Sequence, residues 1–300
     1  MNITTEFKQK VLTALLDARQ NFDGSDTAYA KQYQINNTVF SRLKAGNTEG
    51  LLKDGQWLNI GRSLGVTLNE RKWKAARTDV FNIIEEEVTF CKEFSKARIF
   101  VDDCGIGKTF AAKYLSRNLK NCFYVDASQA KTKILFMRLL AKTIGVDSDG
   151  KYAEIFENIK YYLHVLPNPI IIIDEPGFLQ NEAFLDIHAL WNGTENVCGW
   201  YMIGAEGFRS KIERLIHNKK LGYKEIFSRF SEKFSSAVPL EKSSKIEFYK
   251  KLITDVLAVN TENKELIPNI VKRCIIQQDG NIGGLRRAES LLILNTRAHE

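Results

Sequence analysis

Between residues 97 and 119 the chain passes from an apolar β-rich run, through a glycine-bearing loop, into a helical pattern, and few folds accommodate that order. The loop reads Val101-Asp-Asp-Cys-Gly-Ile-Gly-Lys-Thr109, with a strand expected at 97–101 and a helix at 110–119. Gly105 and Gly107 allow a backbone that wraps its N–H groups around phosphates. Lys108 brings a positive charge to β- and γ-phosphates, and Thr109 offers a hydroxyl to Mg2+. Gly107, Lys108 and Thr109 match the closing half of the pattern G-x-x-x-x-G-K-[ST]. With Cys104, Gly105, Ile106 and Phe110 they form an expected ATP site. Asp102 stands where the pattern has glycine. Its carboxylate is expected near the phosphates, narrowing the loop and slowing turnover.

A second run, Pro167-Asn-Pro-Ile-Ile-Ile-Ile-Asp174-Glu175, ends four isoleucines in two carboxylates. Such a run fits a central parallel strand buried on both faces, and ligands of parallel sheets bind at the carboxyl ends of the strands. Asp174 is expected to hold Mg2+ through its water shell, and Glu175 to orient or deprotonate an attacking water. Further β-rich runs at 122–125 and 200–203 alternate with helical patterns, which predicts a parallel sheet covered by helices. Beyond about residue 242 the strands stop. Amphipathic helices are expected around 243–259, 263–277 and 283–296, with Pro239 and Asp279-Gly280 as punctuation. The chain therefore divides into residues 1–75, a core at 76–240 and a helical lid at 241–300.

The amino-terminal segment predicts helix, turn, helix from Asp26 to Gly46. Asn36 or Asn37 can cap the second helix, and Gly46 can end it in a left-handed conformation. Val39, Phe40 and Leu43 share an inward face. Thr38, Ser41, Arg42 and Lys44 face outward, as on a recognition helix in a major groove. The segment resembles the helix-turn-helix of phage repressors, with Gln34 at the turn where glycine is usual in them, and Ala30 at the point of close helix approach. Trp57, Leu58, Ile60 and Leu64 are expected to finish this segment's core. A helical bundle for protein contacts is the other reading. Basic charge concentrates here, with 11 Lys/Arg against 7 Asp/Glu in residues 1–75, out of a whole-chain net charge of +7. That excess favours a polyanionic partner, because each phosphate neutralised releases a counterion. The five scattered cysteines form no CxxC pair, which argues against a metal site or disulfide framework and suits a reducing cytoplasm. Neither a signal peptide nor a run of roughly 20 apolar residues is present, so a cytoplasmic protein without a membrane partner is expected.

The loop and the acidic pair resemble those of the AAA+ class of P-loop ATPases, and the resemblance extends over about residues 76–300. It implies an α/β fold: an AAA+ core with a parallel sheet flanked by helices, a small helical lid, and ahead of them an all-α helix-turn-helix domain. Ala205 occupies the class's usual polar "sensor 1" site, with Glu206 beside it. Glu225-Ile-Phe-Ser-Arg229 looks like the helix end that presents an arginine finger to a neighbouring subunit. Gly283-Gly-Leu-Arg286-Arg287 resembles "sensor 2", with Arg286 reaching nucleotide from the lid. A surface arginine and a plain basic helix start are the alternatives for these two. With its amino-terminal head, and the run Tyr124-Val-Asp-Ala-Ser-Gln-Ala-Lys-Thr-Lys133, the chain resembles the MuB/TnsC-type transposition ATPases of phages and bacteria. That family implies ATP and Mg2+ as cofactors, duplex DNA and a transposase as partners, and homo-oligomers as rings or helical filaments. Lys131 and Lys133 are then candidates for lining DNA phosphates, or else ordinary surface lysines. A helicase-loader-type AAA+ protein, and a DNA-binding regulator switched by nucleotide with little hydrolysis, are the competing functions.

Overall fold

Four adjacent isoleucines can all be buried only when both faces of their strand are covered, and this requirement organises the core. The computed structural model describes residues 3–68, 73–275 and 282–297. The amino-terminal helices are α1 (Thr5–Gln20), α2 (Asp26–Gln32), α3 (Asn37–Lys44) and α4 (Asp54–Leu64). The core runs through α5 (Asp79–Phe94), β1 (Ala97–Val101), α6 (Lys108–Asn118), β2 (Cys122–Asp126), α7 (Lys133–Ile144), α8 (Tyr152–Val165) and β3 (Ile170–Asp174). It continues through α9 (Asn181–Gly193), β4 (Gly199–Gly204), α10 (Glu206–His217), α11 (Tyr223–Arg229) and β5 (Phe234–Ser235). The last helices are α12 (Lys242–Asn260), α13 (Leu266–Ile275) and α14 (Leu285–Arg297).

The sheet has the order β2-β3-β4-β1-β5, and every pair is parallel. Period-two alternation sends Ile171 and Ile173, with Trp200 and Met202, into one core beneath α7 to α11. Ile170 and Ile172, with Tyr201 and Ile203, enter a second core beneath α5, α6 and the start of α12. This is the expected parallel α/β layering. The four expected strands are present, with β2 and β3 each extended to an aspartate. β5 is an addition: two residues paired to Ile99 and Phe100, too short to leave an apolar pattern. Register aligns Asp126 with Asp174 and Asp174 with Ile203, so the acidic residues share the carboxyl edge with the loop that follows β1.

The lid helices α12 to α14 pack around Ile253, Leu257, Ile270, Cys274 and Ala288. Residues 276 and 277 of the expected middle helix, with Asp279 and Gly280, lie outside the described residues. Trp73 packs against this lid cluster, and Asn260 accepts from the Lys74 N–H at 2.6 Å while donating to its carbonyl at 3.0 Å. The chain leading into the core is thus fastened to the far end of α12.

The amino-terminal helices keep their own core around Leu15, Tyr29, Phe40, Leu43 and Trp57. Asn36 caps α3 by accepting from the Val39 N–H at 2.8 Å, and Gly46 closes it at φ +85°. Gln34 adopts φ +56° without being glycine, and Ala30 is fully buried. Leu58 departs from expectation: it is 40% exposed while Trp57 and Ile60 are buried, because successive helix positions point about 100° apart. The head rests on the core through Gln32, whose side chain donates to the Thr143 carbonyl at 2.9 Å, and through the Asp23–Lys120 ion pair at 3.2 Å. No helix among the described residues is long and apolar enough to cross a membrane.

Candidate nucleotide-binding site

The loop after β1 carries two glycines in left-handed geometry, Gly105 at φ +76° and Gly107 at φ +101°, where a Cβ is strained. Ile106 between them is fully buried and anchors the loop. α6 starts at Lys108, so its first N–H groups face the space above the loop. The Lys108 ammonium donates to the main-chain carbonyls of Asp102 and Asp103, at 2.8 and 2.6 Å. Burial lowers its pKa, while the nearby charges of Asp174 and Glu175 act in the opposite direction. A buried cation held by carbonyls of its own loop, above a helix start, fits a phosphate chain well.

The structure corrects the reading of Asp102. Its carboxylate points away from the loop's hollow, is 7% exposed, and accepts from the N–H groups of Ala237 and Val238 at 2.6 and 2.9 Å. Its other oxygen accepts from the Asp103 N–H at 2.7 Å. Backbone donors in the β5–α12 connection hold the carboxylate on that side of the loop, while its charge still acts on the Lys108 ammonium. Asp103 also turns outward, to Lys245 at 2.6 Å and the Tyr249 hydroxyl at 2.9 Å. Burial would raise its pKa, but those two bonds outweigh it and hold the carboxyl below the ordinary value.

Asp174 is buried at the end of β3, and its Oδ2 accepts from the Tyr124 hydroxyl at 2.8 Å. Burial and the Asp174 charge both push the tyrosine pKa up, so Tyr124 remains a donor. Glu175 sits at φ +54°, fixed by its N–H to the Ile203 carbonyl at 2.9 Å. A non-glycine residue held in such a region costs about 1–3 kcal/mol, and strain of this kind gathers at functional sites. Burial first, then Asp174, raises the Glu175 pKa, while Lys108 and Arg286 pull it down. Asp126 is occupied with Ser128 and Gln129.

The lid reaches the same loop. The Leu285 N–H donates to the Gly105 carbonyl at 2.8 Å, and a Cβ on Gly284 would lie 2.8 Å from that oxygen. Only glycine permits this approach. Arg286, exposed on the first turn of α14, follows directly. β4 ends at Gly204 and Ala205 follows it, so no polar side chain stands at that strand end, and Glu206 on α10 pairs with Arg209 at 3.4 Å. Arg229 is exposed at the end of α11 and lies over the Trp191 ring at 5.2 Å. Cys104 and Phe110 are exposed and Thr109 is half-buried. Lys131 is exposed over the Phe178 ring at 5.4 Å. Lys133 pairs with the buried Asp186 at 3.3 Å and lies over the Tyr152 ring at 4.3 Å, which commits it to the packing of α7, α8 and α9. Thr38, Ser41, Arg42 and Lys44 are exposed on α3. Lys44 is paired with Asp26 at 2.7 Å, and the Ser41 hydroxyl donates to the Asn37 carbonyl at 2.9 Å.

Sequence reasoning missed Tyr124 and Asp103 as parts of the site. For Tyr124 a signal existed: a polar-tipped residue near the carboxyl end of a strand beside β3. For Asp103 there was none, because its partners lie more than 140 residues away.

Residues 103–212 match the family model of an AAA domain. That stretch runs from the phosphate loop through the acidic pair and β4 into α10. No curated protein matches the chain. The five-stranded parallel sheet, the loop and the acidic edge have the layout of an AAA+ P-loop α/β core, and residues 103–212 are similar to an AAA domain.

Proposed function

We propose that the protein is an ATP-dependent, duplex-DNA-binding ATPase that assembles head to tail on DNA and recruits or stimulates a transposase at its target. The observation that supports this most is the pairing of a phosphate-ready loop with a separate head whose α3 shows Thr38, Ser41 and Arg42 to solvent. Lys108 and the N–H groups around Gly105 and Gly107 bind the phosphates of ATP. Thr109 and Asp174 hold Mg2+, with Tyr124 keeping the Asp174 carboxylate in place. The metal when bound neutralises charge on the transferring phosphoryl group. Glu175 orients the attacking water and takes its proton. Arg286 approaches from the lid, and Arg229 of one subunit serves the site of its neighbour. A head-to-tail contact that does not close generates a helix along DNA. Lys131 beside Phe178 adds a basic and aromatic contact on the core.

Arg42→Ala is expected to weaken duplex binding by about 1–3 kcal/mol if Arg42 reads a base edge, or to reduce the salt slope by about 1 if it meets a phosphate. ATP affinity stays unchanged. Binding isotherms at several salt concentrations check this, and an unaltered DNA affinity removes the head from the proposed interface. The missing polar group at Ala205 favours a second reading, a DNA-binding regulator switched by nucleotide. Under that reading DNA-stimulated phosphate release is negligible although ATP binds.

A further inference from the structure

Three residues of the phosphate loop hold the connection into the lid and two pieces of the lid itself. Asp102 holds the β5–α12 connection through the N–H groups of Ala237 and Val238, Asp103 holds Lys245 and Tyr249 on the first turns of α12, and Gly105 accepts from Leu285 at α14. The carbonyls of Asp102 and Asp103 are also the acceptors of the Lys108 ammonium. A phosphate that draws Lys108 to itself therefore acts on the two residues whose side chains grip the lid. α12 has 19 residues, a rod of roughly 28 Å at 1.5 Å per residue. Its far end carries Asn260, which holds the Lys74 backbone on both its N–H and its carbonyl.

We infer that Asp103, Lys245 and Tyr249 are positioning residues through which the phosphate loop sets α12, and through α12 the Trp73–Lys74 entry to the core. This deepens the proposed function, on which it rests, by giving nucleotide a route toward the head. The route is contiguous from the phosphate loop as far as Trp73–Lys74, and it has a bistable element in Lys108, which can bond its own loop or a phosphate. Coupling of this kind is a difference in affinity and acts equally in both directions. Tyr249→Phe with Lys245→Met removes both grips on Asp103, keeps the apolar stems, and leaves every phosphate-loop residue intact.

Hydrogen exchange of the full chain, with and without a slowly hydrolysed ATP analogue, reads the effect. In the parent protein the analogue is expected to change exchange at 242–250 and at 73–77. In the double variant the analogue still binds, with affinity within about threefold of the parent, well below the five- to 150-fold range of typical allosteric coupling. The response at 73–77 is lost. A variant that responds at 73–77 as the parent does overturns the inference, as does a parent that binds the analogue with no change at α12. Tyr249→Phe alone, the milder change, should give an intermediate response. If the parent responds at α12 and at 73–77 yet shows no ATP effect on DNA affinity, the proposed function fails while this inference stands.

Discussion

Lys108→Ala is expected to lower ATP affinity by roughly 10- to 150-fold, measured by titration calorimetry of the purified chain. The range follows from the contribution of a hydrogen bond to a charged group, about 1.5–3 kcal/mol, at about 1.4 kcal/mol per factor of ten. The geometry makes the effect specific. The ammonium is buried, sits at the mouth of α6, and is held only by the carbonyls of Asp102 and Asp103 among the described residues. Removing it leaves the buried Asp102 carbonyl without that donor, so stability should also fall, by about 1–3 kcal/mol. The same variant should lose any ATP-dependent gain in DNA binding. Retention of full ATP affinity by Lys108→Ala would place the phosphates elsewhere.

Glu175→Gln is expected to slow phosphate release by about 10²- to 10⁴-fold, the range for a positioned general base, with ATP affinity kept within a few-fold. Glutamine preserves the shape that the strained backbone at Glu175 presents, and removes only the proton acceptor. The parent should also show an acid limb in its rate, because the working form is the carboxylate. Burial and Asp174 raise that group above the ordinary glutamate value, so activity falls as pH drops through the raised pKa. The limb should vanish from the residual rate of the variant. An equal rate in parent and variant would assign the water to another residue.

Much of this site was legible in sequence because its parts are local. A glycine loop followed by Lys108-Thr109 needs only neighbouring residues to make its geometry, and four isoleucines ending in Asp174-Glu175 report burial and position together. α3 was legible for the same reason, through Asn36 at one end and Gly46 at the other. Long-range partners were hidden. Asp102 reads as an intruder in a phosphate loop until Ala237 and Val238 supply its donors, and Lys133 reads as a free surface charge until Asp186 arrives 53 residues later. β5 pairs only two residues, and its side chains are half-buried, so it carried no apolar signal. The Leu285 contact to Gly105 depends on lid packing, and its one local trace is Gly284, which in sequence reads only as part of a helix start.

Duplex-DNA affinity of the parent protein, measured at fixed salt with and without a slowly hydrolysed ATP analogue, tests the central claim most directly. An allosteric coupling of about 1–3 kcal/mol corresponds to a gain of about five- to 150-fold with nucleotide, and that gain is the predicted result. Equal affinity in the two conditions would contradict an ATP-dependent DNA-binding ATPase.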